Sequence, residues 1–257
     1  MEIIVICIVA LLASALTLFS GFGLGTLLMP VVAIFFPIEL AIAMTAIVHL
    51  ANNLFKIGLL GRKANTSVLI RFGVPAVMAA LVGAIVLSWL GELKPVFEYS
   101  TFGHNLQLSP LKLVIGLLII AFVALELSPS LSKMTLERKW LPVGGLVSGF
   151  FGGLSGHQGA FRSIFLLKAG LDKEAFVATG VVLAVMVDLS RLAIYGIEIS
   201  ANGNSVDWPL VISASVAAFV GAYFGSKALK KVTIRSVQIV VSVLLVMVAT
   251  GLIAGVL

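Results

Sequence analysis

Of the 257 residues, 60% are hydrophobic and only 11% are charged, whereas about a quarter of an ordinary soluble domain is charged. That balance excludes a soluble globular protein and makes this a polytopic membrane protein. A single Cys7 excludes an intrachain disulfide and a cysteine metal cluster, and the net charge of +6, carried mostly by short loops, reports orientation in a bilayer and not a nucleic-acid partner.

The first apolar run, 3–37, follows Met1-Glu2 without the basic flank or small-residue cleavage site of a signal peptide, so it reads as a membrane segment. Glycines break it at Ser20-Gly21-Phe22-Gly23-Leu24-Gly25. Runs near the ~20 residues a bilayer core requires follow at 39–60, 73–90 and 110–127. Between the last two, Gly91 to Ser109, with Phe97, Tyr99 and Phe102, reads as an outer interfacial loop. A second broken run, 141–167, carries Gly152-Gly153-Leu154-Ser155-Gly156-His157-Gln158-Gly159, and spans at 175–196, 207–226 and 236–256 complete the chain.

The loops holding Arg62, Lys63 and Arg71, then Lys133, Arg138 and Lys139, then Lys227, Lys230, Lys231 and Arg235 are basic and belong on the cytoplasmic side. Those holding Glu92, Lys94 and Glu98, or Glu198 and Asp207, lean acidic and belong outside. From Lys139 to Glu198 the number of crossings must therefore be odd, so the 141–167 segment returns to the side it came from. Its arms of about 12 and about 10 residues are too short to span at ~1.5 Å per residue, and a re-entrant hairpin with its glycine turn in the protein centre satisfies both constraints. The same logic puts the first hairpin on the outer side, although its first arm, 3–19, is long enough to cross alone.

Each half then holds one hairpin and three spans, and an odd span count inverts the second half relative to the first. Thr45 and Thr179 are 134 positions apart, Asn53 and Asp188 135, Gly61 and Gly196 135, and Gly83 and Gly221 138. The reading is an all-α fold of two inverted repeats, 1–130 and 131–257, with both termini outside.

Thr45, His49, Asn52, Asn53 and Lys56 recur at spacings of three and four, which puts them on one helical stripe facing the interior. Lys56 either belongs to that wall or snorkels to the interface. Asp188 and Arg191, three apart, form an intrahelical pair that either neutralises itself or positions Arg191 for a ligand. In the second turn, the half-helix starting near Gly159 or Ala160 aims free N–H groups and its positive dipole end inward, and Arg162 on its first turn adds a fork suited to oxyanions. Arg162 otherwise pairs with Asp188 or with carbonyls. The first turn, through Thr26, is the matching half-helix without a cation, and Pro30 ends or kinks it. Gly83, Gly116, Gly221 and Gly225 read as close helix packing.

At Gly153-Leu154-Ser155-Gly156-His157-Gln158-Gly159-Ala160-Phe161-Arg162-Ser163, and in the duplication from Ser20 to Gly255, the chain resembles the sulfite exporter TauE/SafE family. That family has triple glycine in the first turn where this chain has GFGLGT, and glycines in many members where this chain has His157-Gln158. The resemblance implies an inner-membrane permease exporting sulfite, an organosulfonate such as sulfoacetate, or a similar small anion. The site expected is Thr26, His49, Asn52, Asn53, Lys56, His157, Gln158, Gly159, Ala160, Arg162 and Arg191, with His49, His157 and Asp188 as proton-coupling candidates. No catalytic residue, cofactor or metal is expected. The partners are the anion and the lipid bilayer, with homo-oligomerisation left open. A membrane-embedded enzyme using Ser155 or His157, or a non-transporting structural subunit, are the rival readings.

Overall fold

The computed structural model describes residues 1–20, 23–60, 63–101, 104–128, 135–201, 205–228 and 234–257. Gly21, Phe22, Gly61, Arg62, Phe102, Lys133, Lys230 and Lys231, on which parts of the sequence reading rest, lie outside them. The described chain is mostly helical: α1 Glu2–Ser20, α2 Leu24–Val32, α3 Ile38–Leu60, α4 Thr66–Glu92, α5 Pro110–Leu127, α6 Leu141–Ser155, α7 Gly159–Leu166, α8 Lys173–Ala201, α9 Trp208–Ala228 and α10 Ile234–Ile253. Among the described residues, α3, α4, α8 and α9 are long and apolar enough to cross a membrane; α1, α5 and α10 are apolar over shorter stretches. Their outward surface is apolar, with Met78, Val82, Ile85, Ile212, Val216 and Phe224 exposed. Trp89, Trp140 and Trp208 are also exposed, at or near helix ends where membrane interfaces favour indole.

Two expectations need correction. The 91–109 stretch, read as an interfacial loop, contains a hairpin in which β1 Phe97–Thr101 and β2 His104–Leu108 pair antiparallel, Phe97 with Leu108, so the fold is mostly but not purely α. The run at 73–90 begins earlier, at Thr66, where the Asn65 side chain accepts from the Val68 amide. Pro75 has no N–H to offer the Arg71 carbonyl, and the turns just before it, Leu69–Gly73, widen into a π-helix.

The main helix pairs are α4 with α6, α1 with α9, α5 with α10, α3 with α8, α3 with α9, and α4 with α8. Glycine lets several of them touch backbone to backbone. A Cβ on Gly145, Gly149 or Gly153 of α6 would sit 2.2, 2.1 and 2.1 Å from the Phe72, Ala76 and Ala80 carbonyl oxygens of α4. On α9, a Cβ on Gly221 or Gly225 would stand 2.1 Å from the Leu11 oxygen and 2.6 Å from the Ala15 oxygen of α1. Gly83 and Gly116 are likewise pressed against Phe150 and Ala249, so the packing role read for these glycines holds.

Contacts at the helix ends sort the connections into two faces. On one, Lys63 pairs with Glu174, Arg138 reaches the Ser67 hydroxyl at 3.1 Å, and the Leu136 amide donates to the Ile164 carbonyl at 3.2 Å. On the other, Tyr99 donates to the Ala254 carbonyl and Gly91 lies beside Glu39.

Candidate anion site

The two glycine breaks are helix ends inside the bundle, and they meet. A Cβ on Gly25, in the first turn of α2, would lie 3.9 Å from the Gly156 carbonyl oxygen at the end of α6. One on Gly23 would lie 3.7 Å from His49 Nε2, midway along α3. Gly156 closes α6 with φ +81°, a left-handed turn that glycine adopts without steric cost. A side chain there would also meet Arg191 Nη1 at 2.9 Å, so the α6 end and Arg191 are in direct contact.

The polar stripe on α3 faces inward throughout: Thr45, His49, Asn52, Asn53 and Lys56 are all buried. Burial of Lys56 to 5% exposure sets aside the snorkelling alternative. Asn52 Oδ1 accepts from the Ser14 hydroxyl at 3.0 Å, while Asn52 Nδ2 and Thr45 Oγ1 have no partner. Asn53 Nδ2 holds the His49 carbonyl at 2.9 Å and its ring Nε2 at 3.2 Å.

Across from it on α8, Asp188 is fully buried and fully engaged. Its Oδ2 lies 2.6 Å from His49 Nδ1, and its Oδ1 accepts from Arg191 Nε at 3.0 Å and Nη2 at 2.7 Å. Arg191 is therefore neutralised by its own helix. Asn53 Nδ2 lies 3.2 Å from each His49 ring nitrogen, Nδ1 and Nε2.

The second hairpin supplies the rest. Gln158 caps α7, the Gly159 and Ala160 amides in its first turn have no intrahelical carbonyl to bond, and the Arg162 amide donates to the Gln158 carbonyl at 3.0 Å. The Arg162 guanidinium is half-buried, lies against Gly180 of α8, and donates to Gln158 Oε1 at 3.4 Å. Gln158 Nε2 and His157 Nε2 are buried without partners. His157 Nδ1 holds the Ser155 carbonyl at 3.0 Å, and its ring stacks on Phe122 at 4.9 Å. At the first tip the Thr26 amide is already bonded to the Gly23 carbonyl at 3.1 Å, leaving Leu24 and Gly25 as that half-helix's free first-turn donors.

Two cations remain. Lys56 lies between His49, which meets Asp188, and Lys63, which pairs with Glu174, so it falls opposite the part of α8 around Gly180 against which Arg162 lies, and no carboxylate among the described residues forms an ion pair with either. Each lone cation in a membrane interior costs about 2.5–3.5 kcal/mol on insertion scales. Among the described residues these two cations lie near buried side-chain donors that have no partner, Gln158 Nε2 and Asn52 Nδ2.

The family comparison agrees with that chemistry: the family described as "Sulfite exporter TauE/SafE" matches residues 6–252. The chain belongs to the sulfite exporter TauE/SafE family. It is a multi-pass membrane anion transporter. No curated protein and no solved structure matches this TauE/SafE chain.

Sequence reasoning missed three supports of this transporter's site. Ser14 fixes Asn52, the Ser148 hydroxyl holds the Gln158 carbonyl at 3.0 Å, and Tyr195 donates to the Gly153 carbonyl. Tyr195 lies seven residues beyond Asp188, on the same helical face, and that spacing was the available signal.

Proposed function

We propose that this TauE/SafE protein exports a small oxyanion, sulfite or an organosulfonate such as sulfoacetate, across the inner membrane by alternating access between two inverted repeats, 1–130 and 131–257. The observation that carries the reading is Lys56, buried on α3, and Arg162, half-buried against α8, two cations from opposite halves of the chain with no ion-pair carboxylate among the described residues. Arg162, Lys56, Gln158 Nε2 and the Gly159 and Ala160 amides bind the anion; His49, Asn52, Asn53 and Thr26 line the opposing wall. His49, His157 and Asp188 are the groups through which a proton would couple.

The helix pairing supports the repeats. Exchanging α1–α5 for α6–α10 turns α1–α9 into α6–α4 and α3–α9 into α8–α4, and returns α3–α8 and α5–α10 to themselves. The glycine contacts run α6 parallel to α4 and α1 parallel to α9, so the two hairpins reach inward from opposite faces. The basic face at Lys63, Arg138 and Lys139 is then cytoplasmic, and both termini are outside.

Export of one negative charge across 100 mV gains about 2.3 kcal/mol, so voltage alone drives it. Catalysis is disfavoured because Ser155 Oγ donates to the Phe151 carbonyl and Asp188 is bound to His49, which leaves the Ser155–His157 pair without an orienting acid among the described residues. The test is anion flux in proteoliposomes at a set voltage, comparing sulfite, sulfate, sulfoacetate and thiosulfate. Voltage-dependent sulfite or sulfoacetate flux supports export. No flux for any of the four contradicts it.

A further inference from the structure

We infer that the seat is built for a dianion, so that the transported class is doubly charged oxyanions: fully deprotonated sulfite, thiosulfate, sulfate, or a sulfonate bearing a second acid group. A simple alkanesulfonate, with one charge, is a poor ligand. The inference rests on the export reading above for the location of the seat.

The fixed charges around the seat do not balance. Asp188 is the only buried carboxylate among the described residues. Its oxygens accept three bonds, two from Arg191 and one from His49, so its charge cancels that of Arg191. His49 binds Asp188 through Nδ1 and brings no negative charge to the seat. What is left over is Lys56 and Arg162, an excess of two positive charges. A single negative charge would leave one cation uncompensated where little water screens it, whereas two negative charges balance the seat.

The duplication explains how the excess arises. Lys56 and Arg191 occupy positions 135 residues apart, the same offset as Asn53 and Asp188. Each cation thus stands three residues after a side chain of nearly the same shape, but only Arg191 has a carboxylate there. The residue three before Lys56 is the uncharged Asn53, and no ion pair among the described residues takes up the charge of Lys56. Arg162 presents a planar fork that suits two oxygens of one acid group, and Lys56 offers a point charge for the remaining charge or for a second acid.

The experiment is a melting titration of the purified full chain in detergent at constant ionic strength, with sulfate, thiosulfate, methanesulfonate or nitrate added. An anion that binds only the folded protein raises the melting temperature with the logarithm of its concentration once that exceeds its Kd. For the parent, sulfate and thiosulfate are expected to protect at concentrations about tenfold or more below those of methanesulfonate and nitrate. Lys56→Gln and Arg162→Gln each remove one charge, and either should erase that preference. Both remove an unpaired cation, so the unliganded variants should melt no lower than the parent, which reports that they are folded. Equal protection by methanesulfonate and sulfate in the parent overturns the inference, as does an unchanged preference in both variants. Sulfite flux in proteoliposomes keeps the two readings separate. Flux without a dianion preference overturns the charge inference alone, and a dianion preference without flux supports it while contradicting export.

Discussion

His49 on α3 and Asp188 on α8 meet at 2.6 Å, joining two helices whose contact residues are 139 positions apart. Because the same carboxylate also holds Arg191, this pair ties the two halves together at the depth where the hairpin tips meet. Asp188→Asn leaves Arg191 buried without a counter-ion, a change that costs about 3–5 kcal/mol in buried pairs. The variant should melt well below the parent or fail to accumulate. His49→Gln, which removes the partner of Asp188 Oδ2, should cost about 1–3 kcal/mol. Thermal melts of the purified proteins check both, and a wild-type melt for Asp188→Asn contradicts the assignment.

Asn53→Asp would give Lys56 the partner that Arg191 already has. The expected outcome is a folded protein whose anion flux falls about tenfold or more, since a charged hydrogen bond of ~1.5–3 kcal/mol then competes with the substrate for Lys56. Initial-rate flux against expression level measures it. Unchanged flux would mean Lys56 is not part of the seat.

Glycine contacts should separate sharply under substitution. Gly149→Val forces a side chain against the Ala76 carbonyl and Gly221→Val does the same against Leu11, each costing ~3 kcal/mol or more. Gly58→Ala and Gly196→Ala meet nothing within 4 Å and should be neutral. Detergent-solubilised yield and melting temperature report the difference.

The two faces are checked by labelling. In a Cys7→Ser background, Glu98→Cys and Lys139→Cys place thiols at two exposed positions on opposite faces. A membrane-impermeant maleimide applied to right-side-out vesicles should modify Cys at position 98 at once and at position 139 only after permeabilisation. The reverse pattern inverts the proposed orientation.

Much of the fold was legible because its signals are local. The 110–127 span matches α5 at both ends, and α7 begins at Gly159, because Pro, Gly and Ser mark ends through backbone chemistry that needs no neighbour. The inward stripe on α3 was legible for the same reason: a polar group at three- and four-residue spacing has nowhere else to go in lipid. The β-hairpin was not, since Phe97–Leu108 pairing depends on docking against the end of α10 through Tyr99. Nor was the His49–Asp188 contact, because one sequence says which face of a helix is polar but not which helix it meets. The Asp188–Arg191 pair was readable from spacing alone, but that Asp188 also binds His49 was not, because that contact depends on how α3 and α8 pack.

The most direct test is sulfite flux by Arg162→Ala in proteoliposomes, read beside its melting temperature. The account predicts a protein that inserts and melts near the parent but carries no anion, because the variant loses the fork along with only a long 3.4 Å hydrogen bond to Gln158 Oε1 and the contact with Gly180. Parental flux from that variant would contradict the anion seat at the meeting point of the two hairpin tips.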